Sequence, residues 1–433
     1  MNTENWIQTN LGDTEYFQPQ STGITSFTGT KDYLSTSSVD GNKITSIEEE
    51  ITYRSRPSRA NLQPQPNTAW FARMRETHKV LSTSQYLRDQ AILSTGFCGI
   101  QAEQIDTVYL TQYLSSDFFE RQKDRYAEGS TQIALSNIQL PFIKIQFPKS
   151  KPEQSKIAEV LSKVDQAIEQ TESLIAKQQR IKTGLMQDLL TRGIDEHGNL
   201  RSEETHEFKD SPLGRIPVEW DIAPISKYGS RSRSYLRTGP FGSDLNTKHW
   251  VEYGTPVLTI GSLGGGLIID SELLFVDEKT TDRLKGFSVE EGDIVFSRVA
   301  DIGRSLVIDS ERQGWIISSN LMRISLNEKL ASPEFLYRNI AFNSKIVEQL
   351  RKTSNSGGRD LVNGPILNAL LFPWPSIEEQ IAINNRLQSA DARFESIKGS
   401  VNKLRSLKTA LMQDLLTGKK RVTPLLEKTE VHS

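Results

Sequence analysis

The heptapeptide Leu-Met-Gln-Asp-Leu-Leu-Thr occurs twice, at 185–191 and at 411–417, an offset of 411 − 185 = 226 residues. Followed backwards without a gap, that offset pairs Lys182 with Lys408, Thr183 with Thr409, Lys177 with Lys403 and Glu169 with Glu395. It continues through Asp165 and Asp391, Leu161 and Leu387, Ile157 and Ile383, and ends on Glu153-Gln154 and Glu379-Gln380. Chance does not hold register over such a span; the stretch is an internal duplication.

Both copies carry the pattern of long helices. In the second, Ile383, Leu387, Ala390, Phe394, Ile397, Val401 and Leu404 alternate steps of four and three, the a/d spacing of a coiled coil. The first copy gives Ile157, Leu161, Val164, Ile168 and Ile175, with polar Thr171 and Gln178 in the same stripe. Beyond it the steps change (Ile181, Leu185, Leu189; Leu407, Leu411, Leu415), as at a stammer in the heptad. Pro152 suits a first helical turn, Ser376 an N-cap ahead of Glu379, and Gly193 and Gly418 stop the two helices. Each helix of about 40 residues spans about 60 Å. Two matched helices in one chain are expected to lie side by side and antiparallel. The residues expected to build this spacer and its partner surface are Gln154, Ile157, Leu161, Leu185, Leu189, Gln380, Ile383, Leu387, Leu411 and Leu415.

The segments ahead of each helix are rich in short β-type runs, such as Ala91-Ile92-Leu93 and 255–260, and in turn signals. The expected fold class is α+β: two mixed α/β globules joined by two long antiparallel coiled-coil helices, with pseudo-two-fold symmetry. In chain order the segments are 1–148 (first globule), 149–192 (helix), 193–210 (polar linker), 211–375 (second globule), 376–418 (helix) and 419–433 (tail). Two similar heads at a fixed separation form a caliper, and DNA is an object whose half-sites are read at fixed spacing.

Catalytic signatures are missing from the sequence. It holds no GxxxxGK[ST] phosphate loop, no HExxH, no Asn-Pro-Pro-aromatic or Asp-Pro-Pro-Tyr tetrapeptide and no convincing acidic nuclease cluster. Gly-Ser-Leu-Gly-Gly-Gly at 261–266 leads into another strand-like run and reads as a hairpin turn rather than a dinucleotide site. The five histidines are scattered, so no metal site is expected. A single cysteine, Cys98, argues against a disulfide scaffold and for a reducing compartment. No apolar run is long enough to span a membrane and no signal peptide is evident, so the expectation is a cytoplasmic, non-catalytic binder. With a net charge of −2 and pI ≈ 6.3, any nucleic-acid surface must be local.

Arginines interleaved with Ser, Tyr and Trp suit phosphate positioning and base-edge contacts. In the first globule the candidates are Arg54, Arg56, Arg59, Arg73, Lys79, Thr131 and Gln132. In the second they are Arg237, Ser243, Lys248, Arg298, Arg304, Asn320, Arg359 and Asn363.

The layout and motifs resemble the specificity subunit of type I restriction-modification systems over nearly the whole chain. The resemblance rests on the Pro-x-x-x-Glu-Gln helix start at 375–380, shortened to Pro152-Glu153-Gln154 in copy one, and on the repeated LMQDLLT. It also rests on the SPLGRIPVEW lead-in at 211–220, TGPFGS at 238–243 and GDIVFSR at 292–298. It departs where Trp374 interrupts the usual Pro-Pro pair and where the lead-in before Trp6 is short. The resemblance implies that each globule is a target recognition domain reading one half of a split, asymmetric double-stranded DNA sequence. The helices would set the gap and dock two methyltransferase (modification) subunits, with motor-nuclease (restriction) subunits added. S-adenosylmethionine and ATP/Mg would then serve the partner subunits, and this chain would need no cofactor. The alternative class is a structural coiled-coil protein whose heads bind protein without DNA specificity.

Overall fold

A computed structural model describes residues 5–130, 132–354 and 361–430. The two copies of the repeat are continuous α-helices, Lys151–Thr191 and Ile377–Leu415. The chain forms two compact units that cut across chain order: 1–174 with 397–433, and 175–396. Each unit therefore holds one head, the start of the helix that leaves it and the end of the other helix.

In the first unit the helical segments pair through Asp165 with Lys408 (2.7 Å) and Glu172 with Arg405 (2.7 Å). One residue number rises as the other falls, so the segments run antiparallel. The second unit repeats the arrangement with Asp391 and Lys182 at 2.7 Å, the 226-residue counterparts of Asp165 and Lys408. Between the heads' own contacts most of the heptad stripe is half buried, with Val401 buried. Its ends are deeply buried. Ile157, Leu161, Met412, Leu415 and Leu416 enter the first head's core beside Trp6, and Met186, Leu189, Leu190, Ile383 and Leu387 enter the second beside Trp220. The repeated heptapeptide is thus the docking end of each helix. Leu185 and Leu411 pack at the edges of the same cores.

Gly193 (φ +63°) and Gly418 (φ +70°) turn the chain out of the helices in the left-handed region. Each also lies against its head's tryptophan, and a Cβ at Gly193 would meet Trp220 Cζ2 at 2.4 Å. Beyond Gly193 the polar run read as a linker is ordered. Ile194 bridges to Leu200, and Arg201, nearly buried, reaches Glu379. A polar composition alone does not show that one arginine of the run has a buried partner 178 residues away.

The Glu-Gln helix starts do the same work twice. Gln154 accepts from the Asp106 N–H (2.7 Å) and donates to Pro148 O (2.8 Å), while Gln380 accepts from the Ser332 N–H (2.8 Å) and donates to Pro375 O (2.9 Å). Asp106 and Ser332 are themselves the N-caps of the helices Thr107–Leu114 and Pro333–Phe342. A single buried amide thereby ties the long helix to the head it leaves. Gln154→Ala strands one backbone donor and one acceptor, each costing about 1–3 kcal/mol when buried and unpaired. A marked fall in the urea midpoint of the full chain is expected; an unchanged midpoint would refute this role.

The heads share a strand plan that their sequences do not advertise. In the first, Thr68–Ala72 lies between Phe97–Gln101 and Val80–Ser82, antiparallel to both; in the second, Ile294–Ser297 lies between Leu321–Ile324 and Ser305–Val307 in the same way. A second sheet in each head holds a parallel pair, Lys31–Leu34 with Ala91–Ser94 and Thr255–Leu258 with Ile316–Ile317. The strand that closes each head, Lys144–Pro148 or Phe372–Trp374, pairs antiparallel with the opening strand Trp6–Asn10 or Asp221–Ala223. Trp374, the residue that departs from the family's Pro-Pro pattern, is built into this ribbon. Its Nε1 donates to Ala223 O at 3.0 Å and its ring stacks on Tyr228 at 4.2 Å. Both central strands, TAWFA and IVFS, are buried at every position, which explains their unbroken apolar runs.

Candidate nucleic-acid interface

Strand ends decide where each head presents its loops. In the second head Ser297 faces Leu321, so the chain leaves one strand at Arg298 beside the loop 318–320 that feeds the other. The Arg298 N–H donates to Asn320 O (3.1 Å), and its carbonyl accepts from Val362 N–H (2.8 Å). Gly239 N–H donates to Leu321 O (3.0 Å), which brings in the loop that follows Leu236–Thr238. Arg304 reaches the carbonyls of Ile260 (3.4 Å) and Leu263 (3.0 Å) and so adds the glycine-rich turn, a hairpin closed by Leu263 and Ile268. Loops spread from 239 to 363 in sequence meet at one end of one sheet.

The first head assembles its loops alike. Ala72 faces Phe97, the Arg73 N–H donates to Gly96 O (2.9 Å), and the Arg73 carbonyl accepts from Leu135 N–H (2.9 Å). Thr95 N–H reaches Arg59 O (2.9 Å) and Arg75 N–H reaches Ile133 O (3.0 Å), so the neighbourhoods of Arg59, Arg73 and Gln132 join.

Of the residues expected on this surface, Arg54, Arg59, Gln132, Arg237, Ser243, Lys248, Asn320 and Asn363 are exposed. Arg237 nonetheless lies over the Phe287 ring at 4.5 Å, and Asn363 caps a helix by accepting from Ile366 N–H at 2.9 Å. Arg56 is half buried and stacks on Tyr53 at 4.3 Å. Arg73, Lys79, Arg298 and Arg304 are committed to carbonyls inside their own heads. Thr131 and Arg359 lie outside the described residues. The ten residues assigned to the helices are interior or half-buried, fixing helix to head.

Phe241 lies inside the TGPFGS motif but is not among the expected contact residues, and it is 72% exposed on a turn closed by the Asp244 and Leu245 N–H groups on its carbonyl. The signal was available: a large apolar residue flanked by glycine and proline within TGPFGS. Met74 and Ile133, both exposed beside Arg73 and Arg75, are likewise not among the expected contacts.

Among the described residues one group of metal-ligand type converges, His78, Glu120 and Asp124, with ligand atoms within 4.8 Å. The Lys123 ammonium already sits on the Glu120 carboxylate and donates to Thr77 O at 2.7 Å. Burial raises the Glu120 carboxyl above the ordinary range even with Lys123 pulling the other way. Also among the described residues, no helix is long and apolar enough to cross a membrane.

Two heads of one strand plan, with each long helix beginning in one unit and ending in the other, define an internally duplicated, two-headed architecture. The chain belongs to the type I restriction modification DNA specificity domain family, whose model matches residues 27–178 and 242–406. Each match takes in most of one head, without its opening strand, and part of the helix that follows it. The chain is 26% identical over 278 residues to the type I restriction enzyme MjaVIII specificity subunit of Methanocaldococcus jannaschii, covering 63% of this chain and 61% of that one. It is 27% identical over 325 residues to the putative MjaX specificity subunit of the same organism, covering 74% and 69%. The alignment therefore spans less than two thirds of the first of these relatives. In fold it is similar to the crystal structure of the HsdS subunit from Thermoanaerobacter tengcongensis, with a TM-score of 0.55 at 18% identity over 96% of this chain and 97% of that one.

Proposed function

We propose that this chain is the non-catalytic DNA-reading subunit of a type I restriction-modification complex, each head reading one half of a split, asymmetric double-stranded target. The observation that carries the reading is the convergence of polar loops at one sheet end in each head, which brings exposed Arg59 and Gln132 together in the first and exposed Asn320 and Asn363 in the second, on a shared frame whose loops differ in sequence. A common frame with unlike loops suits two unlike half-sites, because base readout lies in the loops' side chains. The long helices set the gap and offer docking surface to two methyltransferase subunits. Ile181 and Leu407, 226 residues apart and 49% and 48% exposed, support paired docking because they repeat one apolar feature on both helices. Motor-nuclease subunits complete the complex. S-adenosylmethionine and ATP/Mg serve those partners, which work with this chain in the cytoplasm.

Co-expression with the neighbouring methyltransferase in a methylation-free host, followed by genome-wide mapping of modified adenines, tests the reading. The expected result is a single split motif, and replacing 221–372 should alter only one of its halves. Association of the two proteins with no new modified motif would refute DNA reading and favour a purely structural role.

A further inference from the structure

Arg73 and Arg298 occupy the same place in their respective heads. Each is the first residue past the central strand, and each donates its N–H to the residue before the neighbouring strand, Gly96 or Asn320. Their guanidinium groups then bind carbonyls of the converging loops. Arg73 reaches Phe97 O (Nε, 2.8 Å), Leu135 O (Nη1, 3.1 Å) and the Asn137 side chain (Nη2, 2.8 Å). Arg298 reaches Val362 O (Nε, 3.3 Å) and Ser319 O (Nη1, 3.3 Å).

A second pair matches as closely. Lys79 and Arg304 each offer their carbonyl to the central strand's last residue, Ala72 at 2.9 Å and Ser297 at 2.8 Å. Each sends its cation to the loop after the parallel-paired strand, Lys79 to Thr36 O (2.7 Å) and Arg304 to Ile260 O (3.4 Å). Thr36 and Ile260 both lie two residues past that strand's end, at Leu34 and Leu258. Both loops are further closed by a fully buried serine, Ser38 or Ser262, whose Oγ accepts from the N–H of Ser35 (3.2 Å) or Thr259 (2.9 Å).

We infer that Arg73, Lys79, Arg298 and Arg304 are positioning residues, internal struts that set the loops of each head, and not groups that touch DNA. The inference rests on the proposed DNA-reading role of the heads. Its physical basis is the charge-assisted bond: a cation on a backbone carbonyl binds more strongly than a neutral pair, so one side chain can hold two loops. The fork matters most at Arg73 and Arg298, where Nε and Nη1 address carbonyls on separate segments. A lysine ammonium is a single donor centre and does not reproduce the two separated nitrogens of the fork.

The test compares Arg298→Met and Arg298→Lys with the unsubstituted full chain, bound to its methyltransferase partner, on duplexes with single mismatches in either half-site and over a salt series. A strut loosens one half-site. Discrimination there falls by about tenfold, on the scale of one mismatch contact, discrimination at the other half-site holds, the salt slope is unchanged, and lysine does not rescue. A phosphate contact gives the opposite pattern: uniform loss across sequences, a salt slope reduced by about 1 and rescue by lysine. That pattern overturns the inference. Amide exchange of the same variants without DNA is the second readout, with faster exchange expected at 318–320 and 361–363; unchanged exchange there also overturns it. If the unsubstituted complex shows no sequence preference, the proposed function falls, while the exchange data still decide whether Arg298 is a strut.

Discussion

Glu379→Ala is expected to cost roughly 3–5 kcal/mol of stability, the scale for removing one partner of a buried ion pair. Only about a tenth of either side chain is exposed, at 11% for Glu379 and 9% for Arg201. The Glu379 carboxylate collects both terminal nitrogens of Arg201, the Trp220 Nε1–H (3.2 Å) and the Ile194 N–H (3.0 Å). Alanine leaves a guanidinium without its counter-charge inside the second unit and frees the chain just past Gly193. The same latch is built in the first unit, where Glu153 holds Arg421 through Nε (2.6 Å) and Nη2 (2.8 Å). Arg421 is more exposed than Arg201, so Glu153→Ala should cost less. Calorimetry of the full chain checks both, and a melting transition within a degree of the unsubstituted protein would show that the latch is dispensable. The double replacement Glu379→Leu with Arg201→Met separates the two contributions, because an apolar pair of similar volume recovers much of the loss if the stranded charge is its cause.

Adding one heptad to both long helices, after Leu174 and after Ser400, is expected to lengthen the gap of the modified motif and leave both half-site sequences unchanged. The insertion must be made twice. Glu172 pairs with Arg405 and Lys182 with Asp391, so a segment added to one helix alone would slide its partner out of register. A heptad preserves the seam and adds about 10 Å at 1.5 Å per residue. At 3.4 Å per base pair the gap can grow by no more than about three base pairs. Mapping of modified adenines reads the outcome, and a change of bases within either half-site would mean that the helices do more than separate the heads.

The helices were legible because duplication is written in identity at fixed offset and because a coiled-coil seam repeats with the helical period. Their caps, their stop glycines, the Glu-Gln starts and the antiparallel pairing all follow from short-range rules and from two copies of one pattern. The heads were legible only as α+β segments. Their strands need apolar side chains of suitable size, not particular ones, so TAWFA and IVFS perform one role with little identity left to compare. Recognition of the family came from the helix ends and the lead-in, where buried amides, carboxylates and tryptophans restrict the sequence far more.

The repeat, the helix lengths and the family are written in the residues themselves. The use of each charged side chain is settled only by packing. Arg59 and Arg298 are both expected from sequence to face DNA, yet one is exposed and the other is turned onto the carbonyls of Ser319 and Val362. The physical reason is that an arginine's role depends on which acceptors lie within a few ångströms, and those acceptors come from strands whose pairing is set by burial of apolar residues far away in sequence. The Glu379–Arg201 latch shows the same rule. Neither residue specifies the other until helix and head have packed.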